Sequence, residues 1–193
     1  MYTVNAHTYE MLVEKQSKFI AHIMPYSRYD EVLESLKDEH PKARHFVTAF
    51  GYINEFEQVV EGSSDDGEPR GTSGKPTLAV LQGNALINAA IITVRYFGGT
   101  KLGTGGLVRA YSDATNMAID AAELISYQKE ETLTVSCAYT DIGKVGYILD
   151  NLGIKVMEKE FDTVGEVMRL QAPQEDLNSF LDEAKRLVSI VKA

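Results

Sequence analysis

The chain has 193 residues, 44% hydrophobic and 24% charged, which excludes disorder as the dominant state and leaves room for two packed domains. A net charge of −9 excludes a uniformly basic nucleic-acid binder, because neutralising phosphate drives that mode of binding. Met1 to Glu14 has no basic stretch leading into an apolar one, and the longest apolar runs, such as Ala89 to Val94, are far too short to span a bilayer. The single cysteine, Cys137, has no internal disulfide partner. The expectation is a cytoplasmic protein without membrane contact.

In chain order, His7 to Glu14 and Lys18 to Met24 predict a strand pair. Ser27 to Asp30 has the spacing of a capping box, opening a helix that Pro41 stops at about His40. Arg44 to Ile53 and Phe56 to Glu61 read as a hairpin, and Gly62 to Pro76 as a long polar loop. A helix is predicted from Thr77 to Leu86 and a buried strand from Ala89 to Phe97. Gly98 to Gly106 forms a glycine loop before a helix with Leu107, Ala110, Tyr111, Ala114, Ala118 and Ala121 on one face. From Thr132 the pattern changes. Leu133, Val135, Cys137 and Tyr139 alternate as a strand, and Gly143 to Leu152 is helical and closed by Gly153. Ile154 to Phe161 and Glu166 to Ala172 are strands, Pro173 opens a last helix, and Ser189 to Lys192 suggests a short final strand. That order, β-α-β-β-α with a closing β, suggests a ferredoxin-like domain.

Two segments carry the candidate chemistry. In the first, Arg95 to Tyr111, a glycine loop joins a buried strand to a helix start, where unpaired N–H groups favour an anion. Lys75, Arg95, Lys101 and Arg109 fall in a stretch poor in acids. The spacing is not that of a P-loop, since Leu102 follows Lys101, nor of a dinucleotide fingerprint, since Val108 stands where the third glycine belongs. A loop that merely turns the chain tightly explains the glycines equally well. In the second, Ser64 to Pro76, Asp65, Asp66 and Glu68 lie close together. Their spacing is not that of an EF-hand, and a polar surface loop is preferred over a metal site. His7, His22, His40 and His45 have no metal-ligand spacing with Cys137, which alternates with core positions. No metal or cofactor is expected.

Ser64 to Pro76, Val94 to Gly103 and Gly105 to Tyr111 together resemble the signature of the IMPACT/YigZ family, and Ser17-Lys18-Phe19 and Ala43-Arg44-His45 fit the same pattern. The resemblance covers the whole chain. It implies an α+β protein, with a domain like the second domain of ribosomal protein S5 over 1–130 and a ferredoxin-like domain over 131–193. The pairing is similar to the last two domains of the ribosomal translocase. Eukaryotic relatives regulate translational initiation by competing for an activator of a stress kinase, and they have an additional recognition domain not seen in this sequence. No established reaction comes with the resemblance.

The leading expectation is therefore a non-enzymatic binding module for RNA, the ribosome or a translation factor. Its anion- or RNA-binding residues would be Lys18, Arg44, His45, Lys75, Arg95, Tyr96, Lys101 and Arg109, around the backbone of Gly98, Gly99, Gly103, Gly105 and Gly106. Tyr96 or Phe97 would stack a base, with strand-end packing as the alternative. An enzyme acting on a small phosphorylated compound is a second reading. It would use Asp66 or Glu68 as acid or base, in a polar loop that also holds Asp65, Gly67, Pro69, Gly71, Thr72 and Ser73. A protein-binding adaptor is a third. Oligomeric state is left open.

Overall fold

A computed structural model describes residues 1–191 and separates the chain into two compact units, Met1–Tyr127 and the residues from Gln128 onward. The division falls before Gln128 because Glu130 already belongs to the first strand of the second unit. Strands and helices are mixed in both. Among the described residues no helix is long and apolar enough to cross a membrane.

The first unit begins with β1 (Tyr2–Val4), β2 (Thr8–Glu14) and β3 (Ser17–Pro25). The β2–β3 turn is Lys15-Gln16, both at positive φ (46° and 65°). That is the type I′ twist usually supplied by Asn-Gly. A 3-10 turn, Tyr26–Arg28, leads into α1 (Tyr29–Glu39). Ser27 lies inside that turn and the helix has no side-chain cap, so the expected capping box does not form. β4 (His45–Ile53) and β5 (Val59–Ser64) follow. Phe56, expected in the second strand, sits in the connecting turn, where Asn54 Oδ1 accepts the N–H groups of Phe56 and Gln58. α2 (Gly74–Gly83), β6 (Ala89–Tyr96), α3 (Thr104–Asp120) and β7 (Leu124–Ser126) complete the unit.

β1 pairs with β7, two three-residue strands that tie the ends of this unit together. The main sheet is antiparallel with order β2-β3-β6-β4-β5. Its central strand, β6, is buried on both faces, as its unbroken apolar run requires. Ala89 and Ile91 pack with Phe19, Ala21, Val47 and the buried stripe of α3, including Leu107, Tyr111 and Ala114. Ala90, Ile92 and Val94 pack on the other face with Val32 and Leu36 of α1. This alternation decides which of the candidate residues can meet.

The second unit runs β8 (Glu130–Ala138), α4 (Ile142–Leu152), β9 (Lys155–Phe161), β10 (Gly165–Pro173), α5 (Gln174–Glu183) and β11 (Val188–Ile190). Gly153 closes α4 at φ 65°, the left-handed position that glycine occupies without strain. The sheet order is β11-β8-β10-β9, all antiparallel. Val135, Cys137, Met168, Leu170, Leu177 and Phe180 form the core. Lys192, the end of the expected last strand, lies outside the described residues.

A cleft built by the two loops

The polar loop is organised around Asp65. Its carboxylate accepts the N–H groups of Gly71 (2.7 Å), Ser73 (3.2 Å) and Gly74 (2.8 Å) and the Ser73 hydroxyl (2.7 Å). Burial works against the charge, but these donors prevail and hold the carboxyl below its usual range. The same donors start α2 three residues before the expected Thr77. Pro76 falls in the first turn, where its missing N–H has no cost. A side chain at Gly74 would run into the Ser64 backbone, 2.8 Å from where its Cβ would sit, so the loop returns onto its own beginning.

That return places Glu68 under the sheet. Glu68 and Arg95 are both buried and form an ion pair, and Glu68 Oε1 also accepts the Tyr111 hydroxyl at 2.8 Å. Burial, then the Glu68 carboxylate, push the Tyr111 hydroxyl well above its ordinary pKa. His45 lies beside Arg95 in the sheet, with Nε2 4.0 Å from Glu68 Oε1. Its Nδ1–H donates to the Asp66 carbonyl at 2.8 Å, since a carbonyl can only accept. The Arg95 guanidinium carbon sits 5.2 Å from the Phe19 ring and 5.8 Å from the Phe97 ring. Its Nε is buried and has no hydrogen-bond partner among the described residues.

Above this network opens a cleft of about 340 Å³. Glu68 and Pro69 of the polar loop face Arg95, Phe97, Lys101, Leu102, Gly103, Thr104 and Leu107 across it. The two loops therefore meet. Gly98 fits the glycine loop against the β2–β3 turn: a Cβ there would overlap the backbone of Gln16 and Ser17, while its N–H donates to Ser17 Oγ at 3.1 Å. Gly103, at φ 74°, turns the chain into α3, whose first turn carries no side-chain cap and no acid.

The family model described as the Impact N-terminal domain matches residues 15–119, which contain both loops and every residue of the cleft. The chain belongs to the IMPACT family. It is 36% identical over 155 residues to the IMPACT family member YigZ of Escherichia coli, covering 76% of this chain and 74% of that one. It is 35% identical over 154 residues to an IMPACT family member of Haemophilus influenzae, covering 76% and 73%. A crystal structure of a protein described only as hypothetical superposes at TM-score 0.71 with 28% identity, covering 100% of this chain and 96% of the other.

Within this IMPACT fold the predicted site residues separate. Tyr96 follows Arg95 in the strand and so points to the opposite face, where its hydroxyl meets His40 Nδ1 at 2.9 Å. Lys18 is its register partner on that face and is exposed. Arg109 is exposed beside a second, smaller cleft with Glu14, Lys15, Gly106 and Asp113. Leu102 lines both clefts and stands between Arg109 and Lys101. Arg44 and Lys75 are exposed and line neither cleft. Of the three carboxylates, Asp65 caps α2, Asp66 accepts the Phe46 N–H at 2.6 Å and Glu68 holds Arg95, so they face three different partners. Thr72 and Ser73 are buried in the loop, whose positive φ angles fall at Asp66 (43°), Gly67 (82°) and Gly71 (76°). The sequence did not mark Leu102, Thr104 and Leu107 of the cleft as site residues, nor Tyr111 beneath it. A hydroxyl on the apolar stripe of α3 was the available signal, since a buried tyrosine needs a partner.

Proposed function

We propose that this IMPACT-family chain is a non-catalytic binding module of the translation apparatus that holds single-stranded RNA, free or ribosomal, at the cleft of its first unit. The observation that carries the reading is the composition of the rim. A half-exposed aromatic ring, Phe97, the exposed Lys101 and the uncapped start of α3 border one opening. Aromatic stacking beside a cation and unpaired N–H groups is the combination that binds single strands without catalysis. Glu68 argues against acid–base work, because its carboxylate is already engaged by Arg95 and Tyr111. The translational setting comes from the family resemblance. We also read the first unit as S5 domain 2-like. We read the second as ferredoxin-like, supported by its β-α-β-β-α-β order and its sheet order β11-β8-β10-β9.

The test is co-sedimentation of the protein with ribosomes and with free RNA. Binding that is weakened in Lys101→Ala and unchanged in Arg109→Ala supports the cleft. No binding at low salt overturns the RNA reading. One observation favours a second reading: about 340 Å³ is also the size of a small-molecule site. A small phosphorylated compound would then occupy the same cleft.

A further inference from the structure

We infer that the cleft is a receptor for a single unstacked nucleobase, with the phosphate held outside at the rim; this deepens the RNA reading and rests on it. The argument starts from charge. The floor is the Arg95–Glu68 pair, which is neutral overall. A phosphate placed there would meet a carboxylate as closely as a guanidinium, so the floor does not select an anion. What it holds instead is an acceptor beside a buried donor. Glu68 lines the cleft, and Arg95 keeps one buried N–H, at Nε, that no described residue satisfies. A flat heterocycle with a donor and an acceptor next to each other on one edge is complementary to that arrangement, and the nucleobases have such edges.

The walls agree with the floor. Pro69, Phe97, Leu102 and Leu107 give the cleft apolar sides suited to the faces of a ring. Phe97 is 51% exposed and lies 5.8 Å from the guanidinium carbon. Binding of a base in this way requires the ring to turn outward, which would open the way to Arg95 and leave the phenyl group as the stacking partner. The anionic part of the nucleotide then lies at the rim, at the exposed Lys101 and at the start of α3 with Thr104, whose first turn holds no acid. Base inside and phosphate outside is the order this distribution of charge requires.

The test uses the intact chain and two labelled RNA octamers, oligouridylate and its fully abasic counterpart, which carry equal phosphate charge. Fluorescence anisotropy is recorded across a salt series. The expected result is that oligouridylate binds at least about tenfold more tightly than the abasic strand. Phe97→Ala should reduce it to the abasic level with an unchanged salt slope, and this exposed side chain can be removed without disturbing a core. Lys101→Ala should weaken both strands alike and flatten the slope. Equal affinity for the two strands, or a base preference that survives Phe97→Ala, overturns the nucleobase site and leaves RNA binding standing. Absence of binding to either strand at low salt overturns the RNA reading and the nucleobase site with it.

Discussion

Replacing Tyr111 by phenylalanine isolates the hydrogen bond that fixes Glu68. Tyr111 is fully buried, and its ring meets the Phe19 ring edge-on at 5.1 Å and 85°. Phenylalanine keeps that packing and its volume, and only the hydroxyl is lost. The hydroxyl donates to a buried carboxylate at 2.8 Å. A hydrogen bond to a charged group contributes about 1.5–3 kcal/mol, and Glu68 Oε1 is left with Arg95 as its donor. The expected loss is about 2 kcal/mol, a fall of roughly 6–10 °C in Tm for a unit of this size. Scanning calorimetry measures it, following the transition of the first unit. A cycle with Glu68→Gln separates the pairwise part, which should be about 1–2 kcal/mol. A shift below about 2 °C, or strictly additive losses in the cycle, would mean that Tyr111 does not hold Glu68. The cleft floor would then not be fixed in advance of binding.

Acid should destabilise the fold through His22. Burial first, then His7 at 3.0 Å and His40, lower its pKa from 6.5 to about 4. The unfolded chain therefore takes up the proton first as pH falls. Stability is full above pH 6.5 and drops by roughly 3 kcal/mol on the way to pH 4, as the urea midpoint at the two pH values will show. Asp65→Asn sets an amide N–H₂ against backbone donors at one of the two carboxylate oxygens. It should destabilise by about 1–3 kcal/mol in chemical denaturation and loosen the loop that carries Glu68. Gly98→Ala forces the backbone away from Gln16 and should cost about 3–5 kcal/mol, with faster hydrogen exchange in the β2–β3 hairpin. Gly99→Ala, with open space but φ 87°, should cost only about 1 kcal/mol in the same assay.

Periodicity carried much of the architecture. The apolar run of β6, the stripe of α3 and the left-handed Gly153 could be read because each is a strong local pattern. β1 and β7 could not, since three residues hold too little pattern and their pairing joins Tyr2 to Ser126. The start of α2 was misplaced because its cap, Asp65, lies nine residues upstream of Gly74. In the site, adjacency in sequence misled. Arg95 and Tyr96 must face opposite sides of the sheet. Arg109 stands two residues after Leu107, about 200° around the helix, and so cannot share the wall that Leu107 lines. The pairing of Glu68 with Arg95 spans 27 residues and appears only once the loop closes.

That pairing changes what the glycine loop can do with charge. The sequence clusters Lys75, Arg95, Lys101 and Arg109 in a stretch poor in acids, as a phosphate-binding patch would. In the fold, Glu68 neutralises Arg95, Lys75 lies outside the cleft, and Arg109 shares its smaller cleft with Glu14 and Asp113. Lys101 and the start of α3 remain, equivalent to about one or two phosphate contacts. Counterion release from two contacts weakens single-strand binding by only about sevenfold between 50 and 200 mM salt, against about 10³–10⁵ for proteins making six to ten contacts. A shallow slope is therefore the expected signature of this cleft, with affinity resting on the shape and hydrogen bonding of what enters it. A slope several times steeper in the anisotropy series would show that phosphates are held elsewhere. The exposed Lys18 and Arg44 would then be the first residues to replace, since both lie outside the cleft.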